Sequence, residues 1–166
     1  MIEVKVSGLI VDDNSKSPVV ILQELDGERY LPIWIGPFEA QAIANEIQGK
    51  KFPRPLTHDL LAATIVSLKA TVSRILINDL REKTFFASII LERGEEVISL
   101  DARPSDSIAL AVRSGAPIFV AEKIIEGEGG VRPAGLDPEP SEEERAEELR
   151  RRLEGLNPED FGKFSM

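Results

Sequence analysis

The chain has 166 residues, 42% of them apolar and 30% charged, the balance of one ordinary globular domain with a core of its own. Twenty-nine acids against 20 bases leave a net charge of −9, which argues against an architectural nucleic-acid binder but leaves room for a local basic patch. With no cysteine and one histidine, His58, the chain has no disulfides, thiolate nucleophiles or cysteine metal sites, and no multi-histidine metal site of its own.

The N-terminal MIEVKVSGLIVDD carries charges every few residues, unlike the apolar stretch of a signal peptide, and no apolar run reaches the ~20 residues that span a bilayer. A cytoplasmic protein with no membrane partner is therefore expected. Four Asn and three Gln beside abundant charge hint at a heat-adapted source.

Ile2, Val4 and Val6 alternate with polar residues at the period of a half-buried strand. Val19–Glu24 and Glu28–Ile35 are expected as two more strands joined at Asp26-Gly27, and Pro32 favours an edge position for the third. Pro37 opens a helix with Ala40, Ile43, Ala44 and Ile47 on one face, stopping at Gly49. A second helix runs from Thr57, the expected N-cap, to about Leu68. Strands follow at Ala70–Asn78, Thr84–Leu91 and Glu96–Asp101, then a helix from Pro104 to Gly115 and a short strand, Ile118–Val120. Trp34, within an apolar strand, is expected in the core; the alternative is a stacking platform for a base.

This order predicts an α+β fold: a single compact domain whose mixed or antiparallel sheet comes from two strand-strand-strand-helix halves. PFEAQAIA (37–44) and PSDSIALA (104–111) share one pattern, each with proline first and a carboxylate, Glu39 or Asp106, two residues later. Such a carboxylate suits the helix dipole, and the repeat also puts the two at equivalent sites. Gly127, Gly129, Gly130, Pro133 and Gly135 mark a flexible linker, dividing a body at 1–130 from a linker and acidic tail at 131–166. Ser141 and Glu144 form a capping-box pattern that predicts a charged helix over 142–153, and Phe161 and Phe164 are expected to dock on the body.

Two stretches are polar beyond structural need. Lys50-Lys51-Phe52-Pro53-Arg54-Pro55-Leu56-Thr57-His58-Asp59 sets three cations before a helix start, where free N–H groups suit an anion. His58, the side-chain type that titrates near neutrality, is the natural acid or base there; the structural alternative is simple capping. In Asp101-Ala102-Arg103-Pro104-Ser105-Asp106, a sharp turn is expected to bring Asp101 and Asp106 to one cavity, where Mg²⁺ or Mn²⁺ could bind and Arg103 could hold phosphate. A turn staked by an Asp–Arg pair is the structural alternative. No organic-cofactor motif is present.

LPIWIGPFEAQAIA (31–44), RPLTHDLL (54–61) and DARPSDSIALAVRSGAPIFV (101–120), in this order, resemble the bifunctional nuclease (BFN) domain family over roughly residues 1–130. The closing LNPEDFGKF (156–164) also resembles tails of bacterial members. The resemblance implies a compact α+β domain, a homo-oligomer with a dimer favoured, and nuclease activity on DNA and RNA as assigned to plant members. Family motif positions fall on Glu39, Arg54, Thr57, His58, Asp59, Asp101, Arg103, Ser105 and Asp106. On this reading Asp101 and Asp106, with Glu39, hold a divalent cation, and His58 oriented by Asp59 moves the proton. Arg54, Arg103, Thr57, Ser105, Lys50 and Lys51 bind the nucleic-acid substrate. The alternative is a non-catalytic, anion-binding regulatory module. A third possibility gives the polar residues and the small faces at Ala40, Ala44 and Ala109 to an oligomer interface.

Overall fold

A computed structural model describes residues 1–130, Pro133 and Ala146–Glu147. The first half is a meander of β1 (Ile2–Val11), β2 (Pro18–Glu24) and β3 (Tyr30–Trp34), closed by α1 (Pro37–Ile47). After α2 (Thr57–Ser67), the second half repeats the order with β4 (Thr71–Arg81), β5 (Thr84–Arg93), β6 (Glu96–Ala102) and α3 (Pro104–Ser114). β7 (Ile118–Val120) and α4 (Glu122–Glu128) follow.

The seven strands form one mixed sheet in the order β3-β2-β1-β7-β4-β5-β6. Each meander is antiparallel, and β7 welds the two, running antiparallel to β1 and parallel to β4. The expected α+β fold with two strand-strand-strand-helix halves is the one observed. β3 and β6 are the edges, and Pro32 lies on the first of them, where its missing N–H costs no ladder bond.

Side-chain alternation builds the core. Val20, Leu22, Leu31 and Ile33 from the first meander and Ile75, Ile77, Ala87, Ile89 and Leu91 from the second meet Ile43, Ile65 and Ile108–Ala111 of the helices. Each such large side chain contributes roughly 1.5–3 kcal/mol on burial. α3 is the central helix, packed against both α1 and α2. Gly49 and Gly115 stand just past α1 and α3 with φ of +65° and +71°, the left-handed turn that ends a helix and that glycine adopts without a Cβ penalty.

Three details differ from the sequence pattern. The β2–β3 connection is longer than a two-residue turn at Asp26-Gly27, because Arg29 O accepts the Glu24 N–H and β3 begins only at Tyr30. The first part of the expected linker is ordered: α4 buries Ile124 and Ile125, and Gly130 exchanges two backbone hydrogen bonds with Tyr30, both 2.9 Å. The tail helix and docked phenylalanines lie outside the described residues, except Ala146 and Glu147, which are helical. No described helix is long and apolar enough to cross a membrane.

Candidate active site

The repeat brings two helix starts together. α1 and α3 both begin with proline, which needs no N–H partner there, and neither has a side-chain cap. Their first-turn carboxylates, Glu39 and Asp106, converge on one guanidinium. Arg103 Nη2 lies 2.7 Å from Glu39 Oε1 and 2.7 Å from Asp106 Oδ2, and Arg103 Nε donates to the same Asp106 oxygen at 2.8 Å. Asp106 first and Glu39 second hold this guanidinium more firmly protonated than usual. The Arg103 side chain is nevertheless 66% exposed, open to an incoming anion.

The other Asp106 oxygen, Oδ1, sits 2.9 Å from His58 Nε2, and the His58 side chain is only 11% exposed. A carboxylate partner fixes the ring's orientation and its proton position. His58, Asp106, Arg103, Glu39 and Thr57 line one cleft of about 620 Å³, whose wall also includes Phe38, a ring 87% exposed to solvent.

Asp59 has a different task from the one expected. Its carboxylate accepts the Leu56 N–H at 2.9 Å, and Leu56, not Thr57, occupies the cap position; Thr57 is the first helical residue. Its second oxygen accepts from Arg113 Nε at 2.7 Å. Arg113 first, then the Leu56 N–H, hold the Asp59 carboxyl below its ordinary range. The Arg113 side chain is 6% exposed and also donates to Ala109 O at 2.7 Å and Ala42 O at 3.1 Å, so it ties α1, α2 and α3 together. It thereby fixes the turn of α2 that carries His58. The residue that orients His58 is Asp106, not Asp59.

Asp101 does not join Asp106. On β6, Ile98 and Ala102 pack against the core, so Asp101, at the opposite parity, projects from the other face of the strand, level with Ser88 of β5. Among the described residues no three His, Asp or Glu side chains come together as a metal site. Asp106 has both oxygens engaged and Glu39 shares Arg103, so the donors present do not make a ready divalent site. Lys50, Lys51 and Arg54 lie exposed on the α1–α2 connection, outside the lining of the cleft. Ser105 is buried in the first turn of α3 and faces a neighbouring pocket that also includes Arg103.

The bifunctional nuclease domain family matches residues 20–132, a span that contains every one of these side chains. The chain belongs to that family. An uncharacterised protein of Mycobacterium tuberculosis is 43% identical over 162 residues, covering 96% of this chain and 97% of its own length. Bifunctional nuclease 2 of rice (Oryza sativa subsp. japonica) is 28% identical over 135 residues, 78% of this chain but 42% of the rice protein. The bifunctional nuclease of Oryza minuta is 25% identical over 121 residues, 70% of this chain and 37% of its own. The chain thus spans less than half of these plant relatives.

Within this bifunctional nuclease domain, sequence reasoning passed over Arg113 and placed Trp34 in the core. Arg113 carries no local signal, since its partners Asp59 and Ala42 are 54 and 71 residues away. Trp34 is 55% exposed rather than core: Leu31 and Ile33 take the inward parity of β3, which turns the indole outward. That alternation was available in the sequence.

Proposed function

We propose that the chain hydrolyses phosphodiester bonds in DNA and RNA at the His58–Asp106–Arg103 cluster. The observation that carries this is an imidazole held by a carboxylate at 2.9 Å beside an exposed guanidinium in an open cleft. Membership of the family, and rice relatives that bear the name bifunctional nuclease, support the same class.

A carboxylate only accepts hydrogen bonds, so Nε2 of the neutral ring carries the proton and Nδ1 the lone pair. That lone pair takes a proton from water as the water oxygen bonds to phosphorus; the ester P–O bond breaks and the departing oxygen is protonated from solvent. Asp106 stabilises the imidazolium so formed. Arg103 binds the non-bridging oxygens through Nη1, the nitrogen that the carboxylates leave open, and Thr57 adds the N-terminus of α2. Lys50, Lys51 and Arg54 attract the phosphate backbone over a longer range. No step runs through a metal, because the carboxylates present are already engaged.

A fluorescent oligonucleotide incubated with purified protein tests this, with Mg²⁺ or Mn²⁺ and with chelator. Cleavage by wild type and a loss of about a hundredfold or more in His58→Ala are expected. Activity that survives chelator matches the donor set; an absolute need for Mg²⁺ or Mn²⁺ overturns the metal-free step. No turnover under any condition, with a thermal shift on adding inorganic phosphate, replaces the nuclease with an anion-binding regulatory module. A homodimer belongs to the same proposal, and a monomer by light scattering at micromolar concentration removes it.

A further inference from the structure

A second pocket, of about 350 Å³, opens where the end of β3 meets the starts of β5 and α3. Trp34 and Phe85 supply its aromatic wall, and Lys83, Arg103 and Ser105 its polar one. β3 and β6 are opposite edges of the sheet, so the sheet curls enough to bring both ends to this pocket.

We propose that this pocket is a nucleobase subsite, in which an unpaired base of single-stranded nucleic acid stacks on Trp34 while Arg103 and Lys83 hold the adjoining phosphate. The inference rests on the nuclease reading and names its substrate class. Arg103 lines both this pocket, with Trp34, and the cleft that holds His58, so the two pockets share one phosphate-binding group.

Trp34 is the outward residue of an edge strand, and its ring is more than half exposed beside the pocket it lines. Lys83 stands in the β4–β5 turn, where Glu82 and Lys83 both hold positive φ, 47° and 63°, a conformation that Asn and Gly adopt more readily. The turn thus keeps a cation beside the pocket in place of a residue that would relax it. Bases in a duplex have both faces covered by their neighbours, so a ring platform of this kind takes an unpaired base.

Trp34 is the only tryptophan, so fluorescence excited selectively at the indole reads this pocket. Poly-dT oligonucleotide is titrated into His58→Ala protein, and, should that variant not fold, a phosphorothioate oligonucleotide into wild type. Quenching is expected, with affinity falling about tenfold for an abasic oligonucleotide and for a duplex. By fluorescence polarisation, Trp34→Ala is expected to lose about tenfold in affinity and Trp34→Phe to recover most of it. Equal binding of abasic and base-bearing strands, or unchanged affinity in Trp34→Ala, overturns the subsite. Because these are binding measurements, absence of cleavage in the activity assay overturns the nuclease reading without touching this one.

Discussion

The starts of α1 and α3 are the same device used twice, and their difference is where the site lies. Both open on proline, at 37 and 104, and both carry a carboxylate two residues on. One position earlier the halves diverge: Gly36 in the first, Arg103 in the second. A β-carbon on Gly36 would run into the Glu39 carboxylate, so glycine lets Glu39 fold back over its own helix start. Arg103 instead fills the space between the halves and binds both carboxylates. Asp106 then has an oxygen left for His58, whereas Glu39 is bonded to Arg103 alone among the side chains of the cluster. A near-symmetric framework thus yields one asymmetric cluster, with Asp106 at its centre and Glu39 as a support.

The variant that breaks this comparison most sharply is Asp106→Asn. It is expected to slow oligonucleotide cleavage by about 10²–10⁴-fold, because it removes the carboxylate that orients His58 and stabilises the imidazolium formed during the step. Thermal melting should move little, since Asp106 is partly exposed. Arg113→Met comes next, acting on the scaffold. Removing a buried cation that ties three helices should cost about 2–4 kcal/mol in urea denaturation, somewhat under the range for a fully buried pair because Asp59 is one-third exposed.

Glu39→Gln sharpens the asymmetry. It keeps the shape and loses one charge-assisted bond to Arg103, so cleavage should fall by about three- to tenfold, far less than for Asp106→Asn. A loss equal to that of Asp106→Asn would make the two carboxylates true equivalents.

The smallest effect is a control away from both helix starts. Lys123 and Arg81 push the Asp79 carboxyl down to about 2. Its folded-state value lies below the ordinary 3.8, so the stability it contributes is fully present above 3.8 and disappears as pH falls toward 2. Asp79→Asn should flatten that part of the acid unfolding curve and leave cleavage at neutral pH unchanged.

Most of the framework is legible in sequence because its signals are local. Pro37, Pro104, Gly49 and Gly115 bracket α1 and α3, and period-two alternation marks the strands. The shared PFEAQAIA and PSDSIALA pattern exposes the repeat and puts Glu39 and Asp106 at matching sites. What needed coordinates is long-range or a matter of parity. The partner of His58 is 48 residues away, and the Asp59–Arg113 pair spans 54. Asp101 looks adjacent to Asp106 along the chain, yet one step of strand parity puts it on the opposite face. α4 was hidden by Gly127 and the glycines just after it, since docking of Ile124 and Ile125 outweighs the weak helix propensity of Gly127.

The central claim is that His58 and Asp106 act as one unit, and a double-mutant cycle on oligonucleotide cleavage tests it most directly. If they do, His58→Ala, Asp106→Asn and the double variant lose nearly the same activity, because either change alone disables the pair. Losses that multiply in the double variant, or single variants that cleave like wild type, would contradict the account.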